Sequence, residues 1–538
     1  MFLRLALSLI GTLSVYALCW ILKAVYDELT SPLRSLPGPK STHWFFGNLK
    51  QVMEDEDSGL IESWIQRYGK TMKIHRFFGQ SGFHTTDVKA IHHFLSNTQI
   101  YQKSEPSRFS LGRVVGPGIL VVEGDVHKQQ RKIMNPAFGA PQIRELTEIF
   151  TATSIQLRDS WTAEATKNGG VARVETLSWL SKATLDIIGL AGFNYKINAL
   201  GTDAHDAPDE LAEAFEKVFA AETKFSWVRF LQLRFPLLRR IPMKQDRILA
   251  ASQATMMRIG RQLLADAQRE VRENGSFETG TGARDLFTLL VKANTAKDVA
   301  PHQRLSDEDV IAQVPTFLVA GHETTSTAVT WALFALTQNM AAQARLRKEV
   351  MDVSTDNPTM EELNALPYLE CVVRETLRLY APVPVTSRIA VQDDVVRLSA
   401  PFTDTSGTVH ETLRLRKGTV VLIPILALNR DADIWGADVM EFVPERWEIP
   451  IPSANSIPGV WGHMLTFLGG PRSCIGFRFS LVEMKALLFT LIRGLEFELA
   501  VPIAEIGKRN TAIVQRPIVL TDMEAGNQMP LLVRPVVR

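Results

Sequence analysis

The sequence lacks the features of a disulfide-stabilised, disordered or polyanion-binding protein. Its 538 residues include three cysteines, Cys19, Cys371 and Cys474, a sparse and odd set that cannot form a disulfide framework and is typical of a reducing compartment. The net charge of +1 at pH 7 gives no general attraction to nucleic acid. There is no repeat and no long low-complexity stretch. Because 46% of the residues are hydrophobic and 22% charged, the chain can fill a large core.

Cys474 differs from the other two cysteines in its neighbours. It lies in the segment Phe467-Leu-Gly-Gly-Pro-Arg-Ser-Cys474-Ile-Gly476, where glycines allow the backbone to approach a large flat partner. Arg472 places a positive charge two residues from the sulfur, and the residues from Phe477 onward predict the start of a buried helix. A thiolate at a helix N-terminus is stabilised by the helix dipole and the free N–H groups. The alternative is an inert buried thiol in a glycine-rich turn.

A second unusual segment lies in a long apolar stretch, which Ser306-Asp-Glu-Asp309 opens as a helix N-cap with an acidic first turn. The stretch contains Ala320-Gly321-His322-Glu323-Thr324-Thr325, whose first two small residues allow a bulky planar group to lie against the helix. A carboxylate at Glu323 and a hydroxyl at Thr324 are costly to bury unpaired, which favours a functional role. The alternative is a threonine that bonds to the helix carbonyl four residues earlier.

These motifs resemble those of the cytochrome P450 family. The cysteine segment resembles the family's haem-binding loop, with one departure at Leu468, and the matching residues are Phe467, Gly470, Arg472, Cys474 and Gly476. The acid-and-hydroxyl segment resembles the family's oxygen-activating helix. Three other stretches match family motifs in the family's order: Gly124 to Phe138, Arg374 to Tyr380 and Pro444 to Trp447.

The resemblance implies haem b, iron protoporphyrin IX, as the cofactor and Cys474 as the ligand of its iron. By the same resemblance Thr324 holds the dioxygen and its water, and Glu323 joins the proton-delivery relay. Two haem propionates need cationic partners, and family position gives this role to Arg472, Arg388, Arg131 and His127, the last standing where the family often has tryptophan. Glu375, Arg378 and Arg446 are implied to form a structural network.

The implied fold is mainly α with a smaller β part: a cytochrome P450 fold with a single large haem domain behind an N-terminal transmembrane helix. The uncharged run from Leu5 to Leu22 spans 18 residues, just enough for a short transmembrane helix. A cleaved signal peptide is the alternative, but no small-residue cleavage site follows the run. We therefore predict an anchor at residues 1–26, a proline-rich hinge at 27–45 that contains Leu36-Pro37-Gly38-Pro39, and the haem domain at 46–538.

Helical patterns cover Leu211 to Ala221, Ala250 to Glu273, Asp307 to Gln338 and Glu370 to Tyr380. Strand-like pieces are Thr419 to Pro424 and Ile518 to Leu520, and Glu273 to Arg284 predicts an exposed loop. By resemblance, Ser104 to Val122 and Phe225 to Lys244 would cap the pocket, and the second segment would also contact the membrane interface. The alternative for Phe225 to Lys244 is an amphipathic core helix.

The expected activity is the insertion of one oxygen atom from O2 into a lipophilic small molecule, by hydroxylation or epoxidation. Because the sequence contains no flavin- or nicotinamide-binding region, we expect electrons from NADPH–cytochrome P450 reductase, with cytochrome b5 as a second donor. The motifs resemble fungal microsomal members, which implies a single-pass protein of the endoplasmic reticulum membrane with a cytosolic catalytic domain, and secondary metabolites such as terpenoids as substrates. The alternatives are a peroxide-rearranging haem-thiolate isomerase, a fatty-acid or xenobiotic hydroxylase, and a non-catalytic haem sensor.

Overall fold

The computed structural model describes residues 2–55, 59–201, 209–220, 226–273, 285–296, 300–511 and 513–536. Most of these residues are helical. The helices, in chain order, are α1 (Phe2–Leu29), α2 (Leu49–Met53), α3 (Leu60–Tyr68), α4 (Val88–Ser96), α5 (Glu105–Val115), α6 (Gly124–Met134), α7 (Ala140–Lys167), α8 (Thr176–Phe193), α9 (Glu210–Ala220), α10 (Trp227–Arg234), α11 (Lys244–Glu273), α12 (Leu286–Thr295), α13 (Asp307–Ile311), α14 (Gln313–Gln338), α15 (Met340–Met351), α16 (Met360–Asn364), α17 (Pro367–Leu379), α18 (Ile425–Asn429), α19 (Ala432–Trp435) and α20 (Phe477–Gly494).

The strands form four small sheets. They are β1 (Thr71–His75), β2 (Ser81–Thr85), β3 (Tyr101–Gln102), β4 (Ala172–Glu175), β5 (Thr386–Ala390), β6 (Asp394–Thr403), β7 (Val409–Leu415), β8 (Val420–Ile423), β9 (Leu495–Leu499), β10 (Ile506–Asn510), β11 (Gln515–Val519) and β12 (Pro530–Pro535). The largest sheet has the order β1-β2-β8-β5-β3, in which only β2 and β8 run parallel. The others are β4-β12-β9, β6-β7 and β10-β11. The expectation of a mainly helical fold with a smaller sheet part is confirmed.

Helix α14 occupies the centre of the fold and packs against α8, α17 and α20. Almost all of its residues are buried, which explains why its sequence is apolar on every side rather than along one stripe. The prediction of one helix from Asp307 to Gln338 is wrong in one respect, because α13 ends at Ile311 and α14 begins at Gln313. Pro315 accounts for the break, since a proline ring clashes with the carbonyl four residues earlier, that of Ile311.

The other predicted elements are confirmed with shifted ends. The helices predicted from Leu211, Ala250 and Glu370 correspond to α9, α11 and α17, and the two predicted strands correspond to β8 and β11. Three predictions reach beyond the described residues. Residue 221, most of the loop predicted between Glu273 and Arg284, and Phe225 lie outside the described ranges.

The N-terminal helix α1 continues to Leu29, three residues past the predicted end of the anchor. No helix in the described part of the chain is long and apolar enough to cross a membrane, so the expected transmembrane helix is not shown. The end of α1 is fixed to the sheet, because Ser81 donates from its backbone N–H to Glu28 Oε2 at 2.9 Å and from its hydroxyl to Glu28 Oε1 at 2.6 Å.

The segment predicted to cap the pocket forms α10 and a short 3-10 helix at Pro236–Arg240. Its large apolar side chains point outward and are exposed, namely Trp227, Val228, Leu231, Leu237 and Ile241. The alternative of an amphipathic core helix is therefore wrong, since a core helix would bury these side chains. The ring of Phe235 lies 6.4 Å from that of Tyr16 in α1, so this segment and α1 are neighbours.

Candidate active site

The cysteine segment forms a tight loop that leads into α20. Cys474 donates its backbone N–H to the carbonyl of Phe467 at 2.9 Å, which closes the loop. Gly470 has φ +69°, and a Cβ there would lie 2.5 Å from the carbonyl oxygen of Leu95, so only glycine fits without displacing α4. Leu468, the departure from the family pattern, also has a positive φ of 54°, a conformation that is unusual for leucine.

Cys474 lies just before the N-terminus of α20 and is exposed. Protein atoms surround its sulfur closely enough that burial raises the pKa of the thiol, although the residue as a whole keeps accessible surface. The backbone N–H of Gly476 and the guanidinium of Arg131 act in the opposite direction and favour the thiolate. Arg131 is held there because it donates to the carbonyl of Ser473 at 2.6 Å.

Helix α14 presents a narrow accessible strip to the interior. Ala320, Gly321 and Thr324 are partly accessible, whereas the residues on either side of them along the helix are buried. The structure shows a second need for glycine at position 321, since a Cβ there would lie 2.8 Å from the side chain of Ile188 in α8. Ala320 and Thr324 are one turn apart and lie on the same face. A flat group lying against α14 would therefore meet these two residues.

The side chains of Thr324 and Glu323 have different partners. The hydroxyl of Thr324 donates to the carbonyl of Ala320 at 2.8 Å, which is the back-bond weighed as an alternative. Since a hydroxyl has one hydrogen but two acceptor positions, Thr324 can still accept a hydrogen bond on the accessible strip. Glu323 is only 1% exposed and forms an ion pair with Arg516 of β11. The Nε2 atom of His322 lies 3.8 Å from Glu323 Oε2.

Two of the four residues predicted to meet the haem propionates, Arg472 and Arg388, come together at the carboxylate of Glu123. Arg472 forms an ion pair with Glu123 and donates to the carbonyl of Val122 at 2.8 Å. Arg388 reaches the cluster from β5, where its side chain donates to Thr386 Oγ1 and is 5% exposed. Burial lowers its pKa to about 10, against the opposing effect of Glu123.

His127 is buried on α6, one turn before Arg131. Burial, together with the charges of Arg472, Lys103 and Arg131, lowers its pKa to about 3. The imidazole is therefore neutral in this structure at physiological pH and keeps one N–H that can donate to an anion.

Sequence reasoning missed two further cations of this cluster, Lys103 and Arg108, and its acid, Glu123. Lys103 lies 3.9 Å from Glu123 Oε1, and burial with the charges of Arg388 and Arg472 lowers its pKa to about 7. Arg108 on α5 adds another positive charge beside Lys103 and Arg472. These residues precede the α6 motif, and no local pattern in the sequence marks them. Arg516 was missed for the same reason, because it is brought to Glu323 only by the fold.

The predicted structural network is confirmed. Glu375 and Arg378 are both fully buried and form a two-bond ion pair, with Arg378 Nε 2.8 Å and Nη2 2.7 Å from the two carboxylate oxygens. Arg446 lies 3.4 Å from Glu375 Oε1, and the indole of Trp447 donates to Oε2 at 3.0 Å. These side chains pair with one another and with backbone carbonyls, so the network needs no ligand.

The residues present fit a haem. Among the described residues, no three His, Cys, Asp or Glu side chains converge as ligands for a bare metal ion. Cys474 would supply a thiolate to the iron, and Ala320 and Thr324 offer an accessible surface for a flat ring. The side chains of Arg472, Arg388, Arg131, Lys103 and Arg108 would supply positive charge for two propionates. The role of each residue toward haem stays a prediction.

Comparison with known proteins agrees with this geometry. The family model described as Cytochrome P450 matches residues 37–518. Cytochrome P450 monooxygenase 128 of Postia placenta is 50% identical over 535 residues, covering 98% of this chain and 97% of that protein. Cytochrome P450 monooxygenase 205 of the same fungus is 49% identical, covering 95% and 94%, and cytochrome P450 monooxygenase claP of Ampulloclitocybe clavipes is 36% identical, covering 98% and 99%. The chain belongs to the cytochrome P450 family of haem-containing monooxygenases.

Proposed function

We propose that this monooxygenase uses O2 and two electrons from NADPH to insert one oxygen atom into a C–H or C=C bond of a lipophilic small molecule. Enzymes of the family need a redox partner and act on lipophilic substrates. The specific donor proposed here is a separate NADPH–cytochrome P450 reductase, with cytochrome b5 as an accessory. The observation that carries the proposal is that Thr324 lies on the accessible strip of α14 and the adjacent residue on the helix, Glu323, is a buried acid in an ion pair with Arg516.

The chain's own residues would act as follows. Haem, held by Cys474, supplies the chemistry of O2 activation when bound. Arg472, Arg388 and Arg131 neutralise its propionates, and the neutral His127 donates a hydrogen bond. Thr324 keeps its hydroxyl hydrogen on Ala320 and accepts a hydrogen bond from water on the strip. Glu323 takes up a proton at its carboxylate and passes it toward that water.

Two substitutions test this assignment. In Cys474→Ser the reduced carbonyl complex should lose its strongly red-shifted Soret band, because a hydroxyl is a much weaker electron donor to iron than a thiolate. In Thr324→Ala haem and the band should stay, but electrons from NADPH should go to hydrogen peroxide instead of product. A red-shifted band in Cys474→Ser, or unchanged coupling in Thr324→Ala, contradicts the respective role.

A second candidate function is a peroxide-rearranging haem-thiolate isomerase. Such an isomerase needs no proton delivery to dioxygen, so the presence of Glu323 and Thr324 on α14 favours the monooxygenase. The two are separated by assaying the purified protein once with reductase and NADPH and once with a fatty-acid hydroperoxide. Turnover with the hydroperoxide alone would establish the isomerase, and the absence of NADPH consumption with any added ligand would indicate a haem sensor.

The proposed location is the endoplasmic reticulum membrane, with residues 1–26 as a single-pass anchor, 27–45 as a hinge and the catalytic domain in the cytosol. The exposed apolar side chains of α10 and the Pro236–Arg240 turn lie beside α1 and support a membrane contact there. Deleting Met1 to Tyr26 should release much of the protein from membranes with haem retained. The added change Leu237→Asp and Ile241→Asp should release the rest, and full retention of that variant on phosphatidylcholine vesicles would contradict the second contact.

The substrate is proposed by resemblance to fungal microsomal members: a secondary metabolite such as a terpenoid, with fatty acids and xenobiotics as the alternative classes. The test is product analysis after co-expression with a fungal reductase in cells fed terpenoid, fatty-acid and aromatic scaffolds. Oxidation of fatty acids alone would favour the alternative. Oxidised terpenoid products with O2-derived oxygen, shown by labelling with heavy oxygen, would support the proposal.

A further inference from the structure

The ion pair between Glu323 and Arg516 joins the central helix to the far C-terminal part of the chain. The two residues are 193 positions apart in sequence, and Glu323 is 1% and Arg516 14% exposed. Glu323 lies roughly 100° around α14 from Thr324, at the edge of the accessible strip. Its Oε2 atom meets Arg516, whereas no hydrogen bond from a described residue reaches its Oε1.

The strand that carries Arg516 is fixed to the same helix. The indole N–H of Trp331, two turns after Glu323 on α14, donates to the backbone carbonyl of Gln515 at 3.3 Å. The backbone N–H of Gln515 in turn donates to the carbonyl of Pro382 at 2.8 Å. Because Gln515 directly precedes Arg516, the guanidinium is held at a set position against Glu323 rather than at the end of a free loop.

The other charged groups near the pair cannot replace Arg516. Burial lowers the pKa of His322, so its imidazole is neutral, and its Nδ1 lies 2.9 Å from the carbonyl of Leu318. Glu175, at the start of α8, is the other acid that Arg516 influences, and its oxygens accept from the backbone N–H groups of Leu177, Ser178 and Met529. Arg516 is thus the cation that pairs with the buried Glu323.

We propose that Arg516 is a positioning residue for proton delivery by Glu323, an inference that rests on the proposed function. A guanidinium stays charged at all working pH values and cannot pass a proton itself. Arg516 holds Oε2 of the Glu323 carboxylate, and Oε1, which has no hydrogen-bond partner among the described residues, takes up a proton that comes from bulk water. The acid so formed passes that proton to water beside Thr324 and returns to the carboxylate, so protons balance and Arg516 is unchanged.

The chain offers a matched control. Arg509 on β10 is the direct partner of Arg516 in the antiparallel register. No hydrogen bond or ion pair joins Arg509 to Glu323 within the described residues. Arg509→Gln therefore removes the same charge from the same hairpin without touching the acid, and Arg516→Lys keeps the charge but loses the planar fork.

The first experiment measures NADPH oxidation by the holoenzyme with saturating reductase, in H2O and D2O, for Arg516→Gln, Arg516→Lys, Glu323→Gln, Arg509→Gln and the double variant Arg516→Gln/Glu323→Gln. Each variant is first shown to keep the thiolate-type carbonyl band. We expect Arg516→Gln to lose roughly tenfold in rate, less than the about 100-fold typical of removing a general acid–base group, with a larger solvent isotope effect. Arg516→Lys should be intermediate, and Arg509→Gln unchanged.

The double variant decides whether the two residues act together. If Arg516 works through Glu323, the double variant should be no slower than Glu323→Gln alone. The proposal would be overturned if the rate loss of the double variant equalled the product of the two single losses. Equal losses in Arg516→Gln and Arg509→Gln would overturn it as well.

A readout that needs no turnover separates this inference from the proposed function. A double-mutant cycle on denaturant unfolding of the holoprotein should show coupling between residues 323 and 516 and none between 323 and 509. Coupling without NADPH-driven turnover in the wild type would leave the ion pair in place and refute the monooxygenase. Turnover without coupling would refute the role of Arg516.

Discussion

Two buried clusters of charged side chains differ in how completely their charges are paired within the protein. In the cluster around Glu375 the charges are paired, because Arg378 and Arg446 both form ion pairs with its carboxylate. Their remaining N–H groups donate hydrogen bonds to backbone carbonyls. Around Glu123 the positive charges of Lys103, Arg472 and their neighbours outnumber the single carboxylate. The first cluster is complete within the chain, and the second is not.

The difference separates a structural device from a ligand site. A buried ion network that satisfies itself fixes the position of the elements it joins, here α17 and the segment Pro444–Glu448 beside it. A buried excess of cations raises the free energy of the folded chain and is relieved when an anion binds. Substitutions in the two clusters should therefore affect different quantities, the folding of the protein in one and the affinity for haem in the other.

The largest effect is expected in the complete cluster. Arg378→Gln leaves Glu375 buried with its main counter-charge removed, which costs about 3–5 kcal/mol and should prevent accumulation of folded holoprotein. Soluble yield and the carbonyl difference spectrum measure it. Arg374→Gln is the control on the same helix, because Arg374 forms a partly exposed pair with Glu370 and should cost at most about 1 kcal/mol. Equal yields for the two variants would contradict the distinction between the clusters.

Substitutions in the incomplete cluster around Glu123 should change the affinity of the protein for haem. Arg472→Gln should fold. If Arg472 donates to a propionate as proposed, the substitution removes a charged hydrogen bond worth about 1.5–3 kcal/mol, and haem should dissociate roughly ten- to a hundredfold faster. Transfer of haem to excess apomyoglobin measures the rate. The exposed Arg414 on β7 provides the control, as Arg414→Gln should leave the rate unchanged. Loss of folded protein in Arg472→Gln would mean that this cluster is structural too.

Sequence reasoning predicted the two clusters unequally. The motif residues of both, such as Glu375, Arg378 and Arg472, lie in short segments with a family pattern, and the Glu375 pair is also close in sequence. Lys103, Arg108 and Glu123 carry no such pattern, because their role depends on where α5 and α6 pack. The fold class followed from the family resemblance, and hydrophobic periodicity predicted four helical segments. The break at Ala312 depended on one proline clash, and the expected transmembrane helix at the N-terminus was not shown.

A smaller effect, visible only as a pH dependence, is expected at Lys103. Its pKa of about 7 without haem means that the amine is charged below pH 7 and neutral above it. Two propionates favour the charged form, so haem binding above pH 7 requires proton uptake and should weaken as pH rises, by at most about tenfold per unit. Lys103→Met should bind haem more weakly at pH 6 and show a flatter profile between pH 6 and 9.

His127 is the comparison for that profile. Since its pKa is about 3, it should contribute no slope in this range, and His127→Gln should keep the slope of the wild type. Haem titrations of the haem-free protein at several pH values measure both variants. Parallel profiles for the wild type and Lys103→Met would show that the amine is not part of the haem site.

The smallest effect is expected at Glu483 on α20, a buried acid that belongs to neither cluster. Burial raises its pKa well above the usual value, and no described cation pairs with it; the hydroxyl of Thr325 is its polar neighbour. A raised folded-state pKa means that the folded chain keeps a proton that the unfolded chain loses, so this residue lowers stability as pH rises above about 4.5. Glu483→Gln removes that penalty while keeping a hydrogen-bond donor, and it should raise Tm by about 2 °C at pH 8 and by much less at pH 5. An equal change in Tm at both pH values would show that the pKa of Glu483 is not raised in the folded protein, which would contradict this prediction.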